Sequence, residues 1–181
     1  MLRKLFLGGN QVSLALQRFV DSGLFNEKVA EELEAAAVRG ESIIVAGDRS
    51  TGSRPLTAMI MGLVKKNHDA VQVRKVEDLE KEGTYYMILG IEGEKLEDLV
   101  SKALENPNAQ VVTVKEAENP ISVNKVLKQN FKKHGHSDRT FLQIELDKFP
   151  RNEDGVPFTD KLTRLSVDEK GKIQKENIEF K

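Results

Sequence analysis

Between Ile43 and Leu63 the chain reads IIVAGDRSTGSRPLTAMIMGL: a β-rich apolar run, a loop with glycines at 47 and 52, then an amphipathic segment. Glycines so placed between a strand and a helix frame a phosphate-binding loop. They let successive backbone N–H groups turn inward on an anion at the positive end of the helix. In a working loop of the form G-x-x-x-x-G-K-[ST], the lysine reaches the outer phosphates and the hydroxyl ligates magnesium. Here Gly47 and Gly52 keep the frame, but Ser53 stands where the lysine belongs and Arg54 where the hydroxyl belongs. The same pattern also describes an ordinary strand-to-helix turn. Arg54 is suited to hold an anion at a helix N-terminus or to stand as an exposed cation, and Asp48 in the loop would repel phosphate. Two further candidates lie downstream. Glu116 ends the run AQVVTVKE, where a carboxylate can orient water or simply be solvated; His136 and His134 flank Gly135 in a basic turn.

These residues need elements to hold them. Asn26 before EKVAEELEAAAVRG is an N-cap, Val29, Leu33 and Ala36/Ala37 fall on one face, and Gly40 supplies the stop, so a helix is expected. SIIVAG reads as a buried strand and GDRSTGS as a loop. In PLTAMIMGLVKK, Leu56, Met59, Ile60, Leu63 and Val64 recur at helical spacing, with Pro55 in the first turn and Lys65 and Lys66 at the negative end. Strands are expected at 70–76, 84–91 and 109–116, with helices at EKLEDLVSKALEN and ISVNKVLKQNFKK. This alternation predicts an α/β fold, a largely parallel sheet under helices, with Ile43 to Ala46 and Val111 to Val114 as central neighbouring strands because each is a short apolar run leading into a site segment. From RTFLQIELDKF onward the character changes: PRNEDGVPF is turn-rich, and KLTRLSVDEKGKIQ reads as a hairpin around Glu169, Lys170 and Gly171. Lys125, Lys128, Lys132, Lys133 and Arg139 form a basic strip opposite Val123, Leu127 and Phe131. It is either a solvated face or a contact for an acidic partner or nucleic acid.

With 28 Lys and Arg against 29 Asp and Glu in 181 residues, the chain offers no overall field to gather nucleic acid. The absence of cysteine removes disulfides, thiolate nucleophiles and Cys-based zinc sites, and is compatible with a reducing cytosol. The N-terminus starts basic but has no apolar run of about 7–15 residues before a cleavage site, so it does not read as a signal peptide. No run approaches the roughly 20 apolar residues of a membrane span.

Taken in order, the segments resemble the secretion, pilus-assembly and conjugation motor ATPases. LEAAAVRGESIIVAGDRSTGSRPLTAMIMGL is similar to that family's lead-in helix and phosphate loop, and LRKLFLGGNQVSLALQRFVDSGLFNEKVAEEL to the segment before it. AQVVTVKEAENP resembles its acidic strand, KKHGHSDRTFLQIEL its histidine segment, and TDKLTRLSVDEKGKIQKENIEF its closing hairpin. The resemblance implies a RecA-like P-loop NTPase-type sheet over 26–181, with 1–25 a remnant of an N-terminal region or linker. It implies that Glu116 stands where the family places its magnesium- and water-directing Glu, and His136 at a conserved catalytic turn. The departures are as informative: Lys115 and Glu118 replace the neighbours of that Glu, the family's earlier acidic box falls on VQVRKVEDL with Arg74 at the acid's position and Glu77 and Asp78 nearby, and its second histidine has no counterpart.

Phosphoryl transfer depends on positioning and charge neutralisation by lysine, metal and a water-orienting acid. Each lost charge-assisted phosphate contact costs about 1.5–3 kcal/mol. The sequence therefore predicts a degenerate, non-hydrolysing relative of these motors, with no resident cofactor and at most weak binding of ATP and magnesium. It would act through protein partners of a secretion, pilus or conjugation machine or as a homo-oligomer, cytoplasmic and peripheral to an inner-membrane complex, without membrane insertion or a nucleic-acid partner. A weak ATPase or nucleotide sensor, with Arg54 in place of the lysine, and an unrelated α/β binding domain are the alternatives.

Overall fold

The computed structural model describes residues 12–135 and 138–181. After a short helix, α1 (Leu14–Asp21), comes α2 (Glu27–Arg39). The Asn26 side chain accepts the Val29 N–H at 3.1 Å, and Gly40, at φ +86°, closes the helix in the left-handed conformation that glycine adopts without strain. Next are β1 (Ser42–Ala46), α3 (Ser53–Asn67), β2 (Ala70–Val73), β3 (Tyr85–Ile88), α4 (Leu96–Ala103), β4 (Gln110–Lys115) and α5 (Val123–His134). Three strands, β5 (Thr140–Phe149), β6 (Val156–Val167) and β7 (Ile173–Asn177), end the chain.

All seven strands form one sheet in the order β2-β3-β4-β1-β5-β6-β7. The first five are parallel, and β6 and β7 add antiparallel. The sheet is thus mixed: five parallel strands, extended at one side by two antiparallel ones. Ile43↔Val112 and Val45↔Val114 stand opposite one another, so the runs 43–46 and 111–114 are adjacent and parallel as expected from their sequence. Side chains alternate across the sheet. Ile43, Val45, Val112 and Leu142 face a core built with α1, α2 and α3, while Ile44, Val111 and Phe141 face one built with α4 and α5. Leu16 and Phe19 of α1, and Leu24 and Phe25 after it, join the first core. Leu56, Ile60, Leu63 and Val64 do so from α3, with Met59 partly buried beside them.

The strands at 70–76 and 84–91 are shorter than their apolar patterns suggest. Beyond Val73, a 3₁₀ turn at Val76–Glu80 takes over, its Asp78 carboxylate accepting the N–H groups of Arg74 and Lys75. The turn-rich segment near 150 closes a long β5–β6 hairpin, which continues from Leu146 to Phe149 beyond the last β1–β5 pair, Ala46↔Glu145. The second hairpin turns where the sequence predicts, with the Gly171 N–H donating to the Asp168 carbonyl. No helix among the described residues is long and apolar enough to cross a membrane.

Candidate functional site

The connection leaving β1 runs through α3 on one face of the sheet, and that leaving the adjacent β4 runs through α5 on the other. Between two such strands the chain parts at their carboxyl ends and leaves a crevice, the usual ligand position of an open α/β sheet. Gly47 and Gly52 follow β1, and Glu116 follows β4, so the topology brings the glycine loop and the acid to one crevice.

The loop is folded onto its own carbonyls. Gly47 donates to Lys115 O at 3.1 Å, extending the β1–β4 ladder by one bond. The N–H of Thr51 donates to Asp48 O at 3.0 Å and that of Gly52 to Arg49 O at 3.3 Å, closing a 3₁₀ turn at Arg49–Thr51 where the sequence suggests only a loop. The hydroxyls of Thr51 and Ser53 also donate to Asp48 O, at 2.6 and 3.1 Å. Ser53 is 0% exposed, and its carbonyl accepts the Thr57 hydroxyl at 2.7 Å. A phosphate cradle needs these N–H groups aimed at the ligand, whereas here three of them serve the protein. Gly47 is required by close packing: a Cβ there would lie 2.6 Å from Thr51 Oγ1 and 3.1 Å from Leu146 Cβ.

Arg54 and Glu116 complete the crevice by engaging each other. The guanidinium Nε donates to Glu116 Oε1 and Nη2 to Oε2, both at 2.8 Å, in the two-bond fork that matches carboxylate geometry. The Glu116 side chain is 1% exposed and that of Arg54 39%. Hydrogen bonding from Arg54 holds the Glu116 carboxyl below its ordinary range, outweighing burial, with the charges of Arg54 and Arg49 adding to it. Glu116 is therefore not a solvated strand-end acid: its carboxylate is buried and engaged by Arg54. Arg54 is likewise neither free for an anion nor merely exposed. A depressed, forked carboxylate is a poor proton acceptor, because removing its partner must precede any chemistry.

Arg74, Glu77 and Asp78 do not join this crevice. Arg74 lies at the end of β2, two strands from β4, with its guanidinium on Gln72 Oε1 at 3.2 Å. Near it, Asp78 is buried and committed to its turn, and Glu77 is exposed. His136 lies outside the described residues. The basic strip is smaller than its sequence implies. Arg139, expected on the surface, is 3% exposed and donates to Asn130 Oδ1 and to the carbonyls of Leu104, Asn106 and Ala109. Four acceptors within reach of one guanidinium explain its burial beside the end of α4. Lys125 pairs with Glu97 and Lys133 with Glu105, which leaves Lys128 and Lys132 without an ion pair among the described residues.

What residue-by-residue reasoning missed is the pairing itself. Its signal was present: the loop cation Arg54 and the strand-end acid Glu116 are complementary, and parallel neighbouring strands bring them together. Compared with protein-family models and with curated proteins, the chain matches none.

Proposed function

We propose that this chain is a non-hydrolysing relative of the secretion motor ATPases, built on a RecA-like sheet and serving as a binding or assembly component of a secretion, pilus or conjugation apparatus. The observation that carries this reading is the Arg54–Glu116 fork: the crevice at the switch point, where nucleotide and magnesium would sit, is filled by the protein's own paired charges. The buried Ser53 and the self-bonded loop support it from the other side. A crevice whose anion-binding and acid groups neutralise each other has lost the means of phosphoryl transfer, yet it still holds β4 against α3 and so keeps the shape of the domain.

Function on this account lies in contacts, to an active motor subunit or to further copies of the chain. Leu16, Phe19, Leu24 and Phe25, which precede α2, pack on the same core as α2 and α3. Location at the cytoplasmic side of an inner-membrane complex belongs to the same proposal. The reduced basic face of α5, Lys128 and Lys132, is the surface first to be tested. Light scattering of the pure chain and affinity capture of motor subunits from the source cell, with and without Lys128→Glu and Lys132→Glu, provide the test. Loss of a motor subunit or of self-association on charge reversal is expected. A monomer that retains no motor subunit would overturn the assembly role, and measurable ATP turnover would replace it with the weak-ATPase reading.

A further inference from the structure

We infer that the open edge of β2 is a docking groove for an extended acidic segment of a partner protein, which adds to the sheet as an eighth strand; the inference rests on the reading of the chain as a binding component. Among the described residues, β2 is the outermost strand at its end of the sheet and pairs only with β3. The carbonyl of Asp69 accepts the N–H groups of Thr84 and Tyr85, so the backbone at 69 turns toward β3. Successive residues of a strand in a parallel ladder direct their peptide groups to opposite sides, which sends those of Ala70 and Gln72 outward. Ala70, Val71 and Gln72 line a groove of about 610 Å³, together with Arg74, Lys75, Asp78 and Lys81.

The charge of this groove decides what fits it. Asp78 is spent internally: its carboxylate accepts the N–H groups of Arg74 and Lys75 at 2.9 and 3.1 Å and pairs with Lys81 at 2.7 Å. Arg74 and Lys75 have no acid partner among the described residues and are exposed. The acids of the same stretch, Asp69, Glu77, Glu80 and Glu82, do not line the groove. An extended segment can satisfy the outward N–H and C=O groups of Ala70 and Gln72 while its acids meet Arg74 and Lys75. Main-chain pairing then supplies affinity and charge supplies selection. With four residues, β2 is short enough to resist indiscriminate edge pairing, so the charges are needed.

The test is fluorescence anisotropy on the full chain with three labelled decapeptides. One alternates Glu and Val, one alternates Lys and Val, and one is the Glu–Val peptide with proline at alternate positions. Binding of the first alone is expected, weakened at least about tenfold by Arg74→Glu with Lys75→Glu. Slowed amide exchange at Ala70 and Gln72 should accompany it. No binding, equal binding of the lysine peptide, or tolerance of proline would overturn the inference. So would concentration-dependent self-association abolished by the same double substitution, which would assign the edge to a second copy. ATP turnover by the chain would sink the assembly reading and leave the peptide result standing, so the two failures are distinguishable.

Discussion

Replacing Arg54 by alanine should destabilise the protein by about 2 kcal/mol at neutral pH, although the residue is more than one-third exposed. Removing one partner of a fully buried ion pair costs about 3–5 kcal/mol, because the remaining charge is stranded. Glu116, with a side chain 1% exposed, is stranded in that sense, but the 39% exposure of Arg54 lets water follow into the vacated space and screen the carboxylate. The penalty therefore falls below the fully buried range. Glu116→Gln keeps the shape and one acceptor, and should cost about 1 kcal/mol. Removing both charges, as Arg54→Met with Glu116→Leu, leaves nothing stranded and should cost less than the sum of the single Arg54→Met and Glu116→Leu substitutions by about 1–2 kcal/mol. Urea unfolding followed by circular dichroism reads these differences. At about 2 kcal/mol per molar denaturant, Arg54→Ala should move the midpoint by roughly 1 M. A shift below about 0.2 M, or strict additivity of the pair, would refute the claim that the fork holds the crevice together.

Gly47→Ala should be the more costly glycine change in the loop, by about 1–3 kcal/mol, since its Cβ would press on Thr51 and Leu146 from two sides. Gly52→Ala, at φ +81° with nothing within 4 Å, should cost only the conformational strain of about 1 kcal/mol, and thermal melts of both proteins check the order. Arg139→Met should cost about 2 kcal/mol by taking a donor from the carbonyls of Leu104, Asn106 and Ala109, of which Leu104 keeps the Asn130 amide and Asn106 the Ala109 N–H, and Arg139→Lys should recover only part because an ammonium cannot span that fork. Acid unfolding should be flat from pH 7 to about pH 5 and steepen below. Asp78, with a carboxyl pulled to about 2 chiefly by Lys81, and Glu116, lowered by Arg54, both bind protons more weakly folded than unfolded. Their stabilisation is present above the ordinary values of 3.8 and 4.5 and is lost as pH falls through the lowered ones. Glu116→Gln should flatten part of that acid limb, and an unchanged limb would mean that the fork contributes nothing to it.

The helices and the central strands were legible because their signals are local. Asn26 and Gly40 bracket α2, and the spacing of Leu56, Ile60, Leu63 and Val64 orients α3. Adjacency of β1 and β4 followed from two short apolar runs, each leading into a site segment. The antiparallel docking of β6 on the parallel strands was not legible. The pairing of β5 with β6 depends on a turn whose flanks at Phe149 and Val156 carry no regular alternation, and on a register shift between Glu145 and Leu146. The charged residues were the least readable, because a side chain's partner lies far away in sequence. Arg139 looked like a continuation of a lysine strip, but carbonyls 30–35 residues earlier draw it inside. Glu116 looked solvated, but Arg54, 62 residues earlier, covers it. The glycine frame at 47 and 52 was visible, while the inward hydrogen bonds that occupy it were not.

The most direct measurement is calorimetric titration of the intact chain with ATP and magnesium, run beside a phosphate-release assay on the same sample. With Ser53 buried and Glu116 held by Arg54, the account predicts no saturable heat at millimolar nucleotide and no phosphate release above buffer. Saturable magnesium-dependent binding, with turnover that Glu116→Gln abolishes, would contradict it.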